Sequence, residues 1–371
     1  MANIDRIVNV SISLQTAGIT GVSFSDLLLY GQFTSPNLVE IITDPDQLLN
    51  FGVVVTDPLY LAAQVAFSEI PHINQIYIGQ NTNTADPTND LIAIADFNND
   101  WYGIVDVTHD PTKIIKIADW VEAHEKLQLT VLADWSAGSA ATDLQTGNYF
   151  RTAWWAVADI ATDFTDVAIA SKSFTKYPGQ ETWANQSLQA VNYMNMTETA
   201  AQAVFTLNGN TFEPFRNISI TQNGKVAGGE WIDVIRFRDW LCETIKVNIF
   251  QQMVDNRIPY TDPGIAVVRS RLIQSLDQGV TRGGIAPPEV DPVTSKMIPS
   301  FVVTVPLAAT ISANQKATRV LQDITFTARI AGAIHVVQIQ GTLTYENLPV
   351  ASPTVSTFTA GRSGQAAALG A

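Results

Sequence analysis

Aspartate followed by proline recurs at the starts of helix-periodic stretches in this chain: Asp44-Pro45, Asp57-Pro58, Asp110-Pro111 and Asp262-Pro263. The pairing has a physical cause. An aspartate carboxylate accepts hydrogen bonds from the free N–H groups of a helix's first turn. Proline in that turn gives up only an N–H that no intrahelical carbonyl needs. Among these starts stand short apolar runs of strand length, Leu38–Ile42, Gln75–Ile78, Tyr102–Val107 and Gln128–Ala133. Strand, helix, strand at this spacing is a βαβ unit, and a mixed α/β fold is expected.

The helix faces are legible as well. Leu48, Leu49 and Phe51 lie on a short helix that stops at Gly52, and Leu61, Val65 and Phe67 on the next. Ile114, Ile117, Ala118 and Val121 form the stripe of a third. Two longer helices follow. One runs from about Asp233 to Asn256 with Val234, Phe237, Leu241, Ile245, Ile249 and Met253 on one face. The other is expected to be capped by Asp262, to use Ile265, Val268, Leu272 and Leu276, and to end at Gly279. Asn208-Gly209 and Asn223-Gly224 are hairpin signals. The last third is β-rich, with strands at Phe301–Val305 and Asp323–Ile330 and a short polar helix between them, about Ser312 to Val320.

Both ends of the chain alternate. Ile4, Val8, Val10, Ile12 and Leu14 are apolar, with Asn9, Ser11, Ser13 and Gln15 between them. A Gly/Thr/Ser-rich stretch, Gly18 to Ser25, follows. Such a terminal strand either closes an edge of its own sheet or adds to the sheet of a neighbouring subunit. Ile334 to Tyr345 alternates less strictly, with Ile334, Val336, Ile339 and Leu343 as apolar positions.

Little points to chemistry. The net charge of -14 argues against a general nucleic-acid-binding surface, which needs a basic footprint. A single cysteine, Cys242, leaves no intramolecular disulfide framework, and its place beside Leu241 reads as a buried, small apolar residue. The histidines His72, His109, His124 and His335 match no zinc spacing. A dinucleotide site needs a glycine-rich turn after the first strand of a βαβ unit, whereas here the turn is Val107-Thr108-His109-Asp110-Pro111. Acidic clusters such as Asp96 to Asp100 and Asp159 to Asp166 match no calcium loop and read as solvated caps and turns. Tryptophan is abundant, including the pair Trp154-Trp155, and reads mostly as core. Neither a signal peptide nor a membrane-spanning helix is expected. Charged residues make up 15% of the chain, below the usual ~25%. A large protein with few charges often turns much of its surface toward other protein.

Four stretches, taken in order, resemble the contractile tail-sheath family of bacteriophages and related injection particles. The first runs from Leu38 through Gly79 and contains Leu48-Leu49-Asn50-Phe51-Gly52. The second is Tyr177-Pro178-Gly179-Gln180-Glu181-Thr182-Trp183. The third spans Gly229 to Pro288 and includes Ile258-Pro259-Tyr260-Thr261-Asp262-Pro263-Gly264-Ile265 and Gly283-Gly284-Ile285-Ala286-Pro287-Pro288. The fourth is Asp323 through Tyr345, with Gly332-Ala333-Ile334-His335. The tail from Pro349 to Ala371 has no counterpart in the resemblance.

The resemblance implies a structural protein, not an enzyme, with no cofactor or metal. It implies a discontinuous core domain, residues 21–84 with 207–332, and an inserted outer α/β domain, 85–206. An N-terminal arm would occupy residues 1–20, and a C-terminal arm with a flexible tail 333–371. The apolar positions Ile4, Val8, Val10, Ile12, Leu14, Ile334, Val336, Ile339 and Leu343 would then enter neighbouring subunits, with Gly18, Gly21 and Gly332 as hinges. Implied partners are other copies of the chain in stacked hexameric rings, a tail tube protein, and baseplate and terminator proteins. Direct nucleic-acid contact and stable membrane insertion are not expected. The implied location is the virion tail, assembled in the host bacterial cytoplasm. Lys316 and Arg319 share one side of the polar helix; they are either a solvated face or the contact to the tube. Two other readings compete: a tail tube or other virion structural protein, and an α/β enzyme with a site of dispersed carboxylates.

Overall fold

The structure is a computed structural model and describes residues 23–82, 85–254 and 256–339. The first strand, β1 (Leu27–Gly31), is buried along its whole length. It is followed by β2 (Val39–Ile42), a 3-10 helix at Pro45–Phe51, α1 (Pro58–Ser68) and β3 (Ile76–Gln80). Next come α2 (Thr88–Phe97), β4 (Gly103–Asp106), α3 (Pro111–His124), β5 (Leu127–Leu132), α4 (Ala140–Thr146), β6 (Thr152–Ala156) and α5 (Thr165–Phe174). The expected starts hold locally. Asp44 accepts from the amide of Asp46, and Asp110 from that of Thr112, each ahead of its proline. Gly52 closes the first turn in the left-handed region, at φ 78°.

These strands form one six-stranded sheet in the order β2-β3-β1-β4-β5-β6. All neighbours are parallel except the edge strand β2, which runs antiparallel to β3. Helices cover both faces. Leu27 and Leu29 point to the side of α1 and α5, where Leu59, Ala62, Ala63, Val167 and Ile169 are buried. Leu28 and Tyr30 point to the side of α2 and α3, with Leu91, Ile94, Ile117 and Trp120. A strand covered on both faces is apolar at every position instead of alternating. Leu27-Leu28-Leu29-Tyr30 is that case.

This topology corrects the boundary expected near residue 85. The strand β1 pairs with β3 on one side and β4 on the other, so residues before and after 85 share one sheet. The polar stretch there is a connection within the sheet, leading into α2.

The edge strand β6 carries the chain onward. After α6 (Glu198–Thr206), the hairpin β7 (Thr211–Phe215) and β8 (Ile218–Gln222) lies beside it, bridged in parallel at Trp155 and Asn210. The Asn210 amide is buried and fully bonded. Its Nδ2 donates to the carbonyls of Trp154 and Lys225, and its Oδ1 accepts from the amides of Gly224 and Lys225. The two Asn-Gly signals flank the hairpin and do not turn it; the turn is Arg216-Asn217, with Arg216 at φ 60°. Gly209 is required for another reason: a Cβ there would stand 2.2 Å from the Trp154 ring.

The second unit begins at α7 (Ile232–Met253), which packs on α8 (Asp262–Thr281). The cap of α8 is Thr261, whose hydroxyl accepts from the Gly264 amide, one residue earlier than expected. Asp262 instead accepts from the amide of Ala308. Beyond α8 lie the short pair β9 (Glu289–Val290) and β10 (Met297–Ile298), then β11 (Phe301–Thr304), α9 (Ala313–Ala317) and β12 (Thr325–Ala328). The core changes near residue 232. Residues 207–231 contribute Phe212, Val226 and Ala227 to the cores flanking the six-stranded sheet, and Phe237 onward forms its own cluster.

Candidate assembly surface

The two long helices bury Phe237, Trp240 and Leu241 against Leu272, Leu276 and Ile285. The strands β11 and β12 lie on this core as an antiparallel ribbon, Phe301 opposite Ala328 through Thr304 opposite Thr325. Phe301, Val303, Ile324 and Ala328 pack toward the helices. On the other face Val302 is 56% exposed. Within the described residues the ribbon has two strands, extended at one end by a bridge between Ile285 and Ile330. Each strand therefore keeps an outer edge along which backbone N–H and C=O groups are available. Such an edge is a template for further strands.

Both described ends of the chain are tied to the start of α7. Arg236 is fully buried, and its Nε donates to the Phe24 carbonyl at 2.8 Å. Its other nitrogens reach Ser25 Oγ and the Lys176 carbonyl and pair with Glu181 at 2.8 Å. One turn earlier, Trp231 meets the His335 ring edge-to-face at 4.6 Å. Thr182 Oγ1 lies 3.1 Å from His335 Nε2, and Asn185 Nδ2 donates to the His335 carbonyl. Burial holds the His335 imidazole below the usual histidine range, which suits a neutral ring against an indole.

Around that anchor, Ile334, Val336 and Ile339 are 83, 75 and 87% exposed and belong to no strand. Gly332 takes a left-handed φ of 55°, with open space where a Cβ would stand. Ile4, Val8, Val10, Ile12, Leu14, Gly18, Gly21 and Leu343 lie outside the described residues.

Lys316 sits on α9, whose start is a reciprocal cap between Ser312 and Gln315. Arg319 follows the helix at φ 57° and is exposed. Neither forms an ion pair among the described residues. Arg319 rims an apolar groove of about 440 Å³, lined by Ile249, Met253, Ile265, Val268, Leu321 and Ile324.

Several buried charged groups are not evident from sequence. Arg151 and Asp239 pair in the interior, and Tyr102 Oη also donates to Asp239. Lys126 donates to the carbonyls of Asn99 and Trp101 and lies over the Trp101 ring, and burial pulls its ammonium down to about 8. Asp233, in the first turn of α7, is pushed up to about 6 by burial and by the Glu181 carboxylate. A signal for Arg236 and Asp239 existed in their spacing, since both stand on the buried face with Ile232, Ile235 and Trp240. Cys242 is exposed, not buried as expected, because the buried face of α7 ends at its neighbour Leu241.

Residues 232–343 match the family model described as "E217 tail sheath protein gp31-like, C-terminal domain", which begins where α7 begins. The whole described fold is similar to that of solved sheath proteins. The contracted helical sheath of the anti-feeding prophage superposes with a TM-score of 0.64 at 15% identity, covering 91% of this chain and 99% of that one. The contracted sheath complex of PVC, an extracellular contractile injection system, gives 0.66 at 14% identity, covering 91 and 98%. A sheath tail protein from Desulfitobacterium hafniense gives 0.52 at 11% identity, covering 80 and 93%. No curated protein sequence matches the chain. At these identities the likeness is one of fold: the chain has the fold of contractile tail-sheath proteins.

Proposed function

We propose that this chain is the structural subunit of a contractile sheath, which polymerises around an inner tube and shortens to drive that tube through a target envelope. The observation that carries the reading is the ribbon of β11 and β12. Among the described residues its outer edges are unpaired, it rests on the unit that matches a tail-sheath model, and both described chain ends are anchored beside that unit. A strand from a neighbour would satisfy those edges. The alternating positions Ile4, Val8, Val10, Ile12 and Leu14 suit one such strand. The exposed Ile334, Val336 and Ile339, continued by Leu343, suit another. Exchanged arms would keep subunits linked while the bodies move as rigid units, with Gly18, Gly21 and Gly332 as bends.

In this reading the chain assembles with itself into a helix of stacked hexameric rings and joins a tube protein, a baseplate and a tail terminator. Lys316 and Arg319 make the tube contact. The particle is a phage tail or a phage-derived relative, built in the cytoplasm of its bacterial host. Electron microscopy of the purified full-length protein tests the central claim. Helical tubes of sheath-like width are expected. A monomer that stays monodisperse over all concentrations and polymerising salts would overturn it.

A further inference from the structure

We propose that His109 and Asp166 form a proton-loaded brace that holds the loop between β6 and α5 against the end of β4 and releases it as pH rises. In open α/β sheets the crevice beyond the carboxyl ends of the strands, where the strand order reverses, is the usual ligand site. Here the order reverses between β1 and β4. At the end of β4 the chain turns through His109 at φ 48° and sends the imidazole inward, where it is 0% exposed.

Both ring nitrogens face oxygen. Nδ1 lies 2.8 Å from the carbonyl of Ile160, and Nε2 lies 3.0 Å from Oδ2 of Asp166, itself fully buried. A carbonyl only accepts, so Nδ1 carries a hydrogen. A second proton must then lie between Nε2 and Oδ2, on either atom, because without it two lone pairs would face each other in the interior. The pair thus binds one proton more than a neutral imidazole beside a carboxylate.

The surroundings favour that proton. Asp106 ends β4 and is 2% exposed, and Asp163 lies in the loop itself. Asp110 and Lys113 stand at the start of α3, and Lys113 is the one cation among these groups. Burial works against the imidazolium, but Asp166, the Ile160 carbonyl and Asp106 outweigh it and leave His109 above the usual histidine range. A raised folded value means the brace is intact below the ordinary value of 6.5 and is lost as pH rises through the folded value. The neutral ring keeps a single N–H, so one of its two contacts is lost, and the hold of β4 on residues 158–166 loosens.

The test uses the full-length monomer. Histidine-labelled protein followed by NMR should show His109 titrating above 6.5. Hydrogen exchange in 158–166, corrected for intrinsic base catalysis, should accelerate by up to about tenfold per pH unit above that point and then level off. In His109→Gln the corrected exchange should be flat with pH. Should that variant not fold, Asp166→Asn should lower the His109 midpoint. A wild-type midpoint at or below 6.5, or corrected exchange in 158–166 that ignores pH, would overturn the proposal.

Discussion

Arg151 and Asp239 meet in two parallel hydrogen bonds, Nη1 to Oδ2 at 2.6 Å and Nη2 to Oδ1 at 2.9 Å, across 88 positions of sequence. The arginine precedes β6 in the six-stranded sheet, and the aspartate lies on α7. Their side chains are 7 and 5% exposed. The pair therefore fastens the sheet to the unit that carries the open ribbon. Arg236, three residues before Asp239, ties the same helix to the entry of β1 through the Phe24 carbonyl. In the proposed sheath role a subunit pulls on its neighbours and needs its sheet and its ribbon to move as one body, and these buried arginines would supply that connection.

Removing one partner leaves the other charge buried and alone. Asp239→Ala is expected to cost about 3–5 kcal/mol, because Arg151 and the Tyr102 hydroxyl both lose their acceptor. Urea denaturation of the monomer measures it. Replacing both members with apolar residues of similar volume should recover much of the loss. An unchanged midpoint for Asp239→Ala would show that the pair does not bind the two units.

If the arms pair with neighbours, they contribute to assembly and not to the monomer. Deleting residues 1–16, or truncating after Val336 so that the His335 anchor is kept, is expected to leave the circular dichroism and melting of the monomer close to wild type while abolishing tubes. Tubes of ordinary length from either truncated chain would remove the arm hypothesis.

A tube contact that must slip during contraction is better made of exposed charges than of an apolar seam, since exposed pairs contribute only about 0–1 kcal/mol each. Reversing Lys316 and Arg319 together to glutamate should impair co-sedimentation with the tube protein. Added salt should weaken the wild-type contact in the same direction. Co-assembly that ignores both changes would place the tube contact elsewhere.

The Asp233 carboxyl, at about 6 in the folded chain against an ordinary 3.8, is a stability statement. Its folded value is raised, so its contribution is most favourable below 3.8 and is lost as pH rises through about 6. Asp233→Asn should therefore stabilise the monomer at neutral pH, by about 1–2 kcal/mol, and the gain should vanish near pH 4. Denaturation midpoints of both proteins across that interval decide it, and a gain independent of pH would assign the effect to something other than this carboxylate.

Gly209 lies where a side chain would meet an indole. Gly209→Ala puts a methyl 2.2 Å from the Trp154 ring, and about 1–3 kcal/mol of destabilisation is expected. Thermal melting measures it, and a melting point equal to wild type would mean that Trp154 moves aside without cost.

The legible parts of this fold were the local ones. Asp44 and Asp110 cap helices as their sequences require, and Gly52 ends its turn in the left-handed region, because caps and turns depend on residues within a few positions. The helical stripe through Phe237 and Leu241 was readable for the same reason, and Leu272 and Leu276 on α8 likewise. The parts not legible were pairings over distance. Leu27-Leu28-Leu29-Tyr30 has no alternation, so nothing local marks it as a strand, and its two partners lie at Leu28↔Tyr77 and Leu28↔Ile104. Without that central strand, the polar connection at residue 85 looks like the end of a domain.

What the sequence determined by itself was the α/β class, most helix starts, the alternation near both ends and the ordered motifs that resemble those of sheath proteins, all properties of neighbouring residues or their spacing. What only the tertiary structure decided was which strand stands in the middle of the sheet and where the described ends of the chain are anchored. It also decided that Arg151 finds Asp239, Arg236 finds Phe24, and His109 faces Asp166. The physical reason is the same in each case. A buried charge is tolerated only where a partner from elsewhere in the chain arrives at hydrogen-bonding distance, and no local pattern carries the address of that partner.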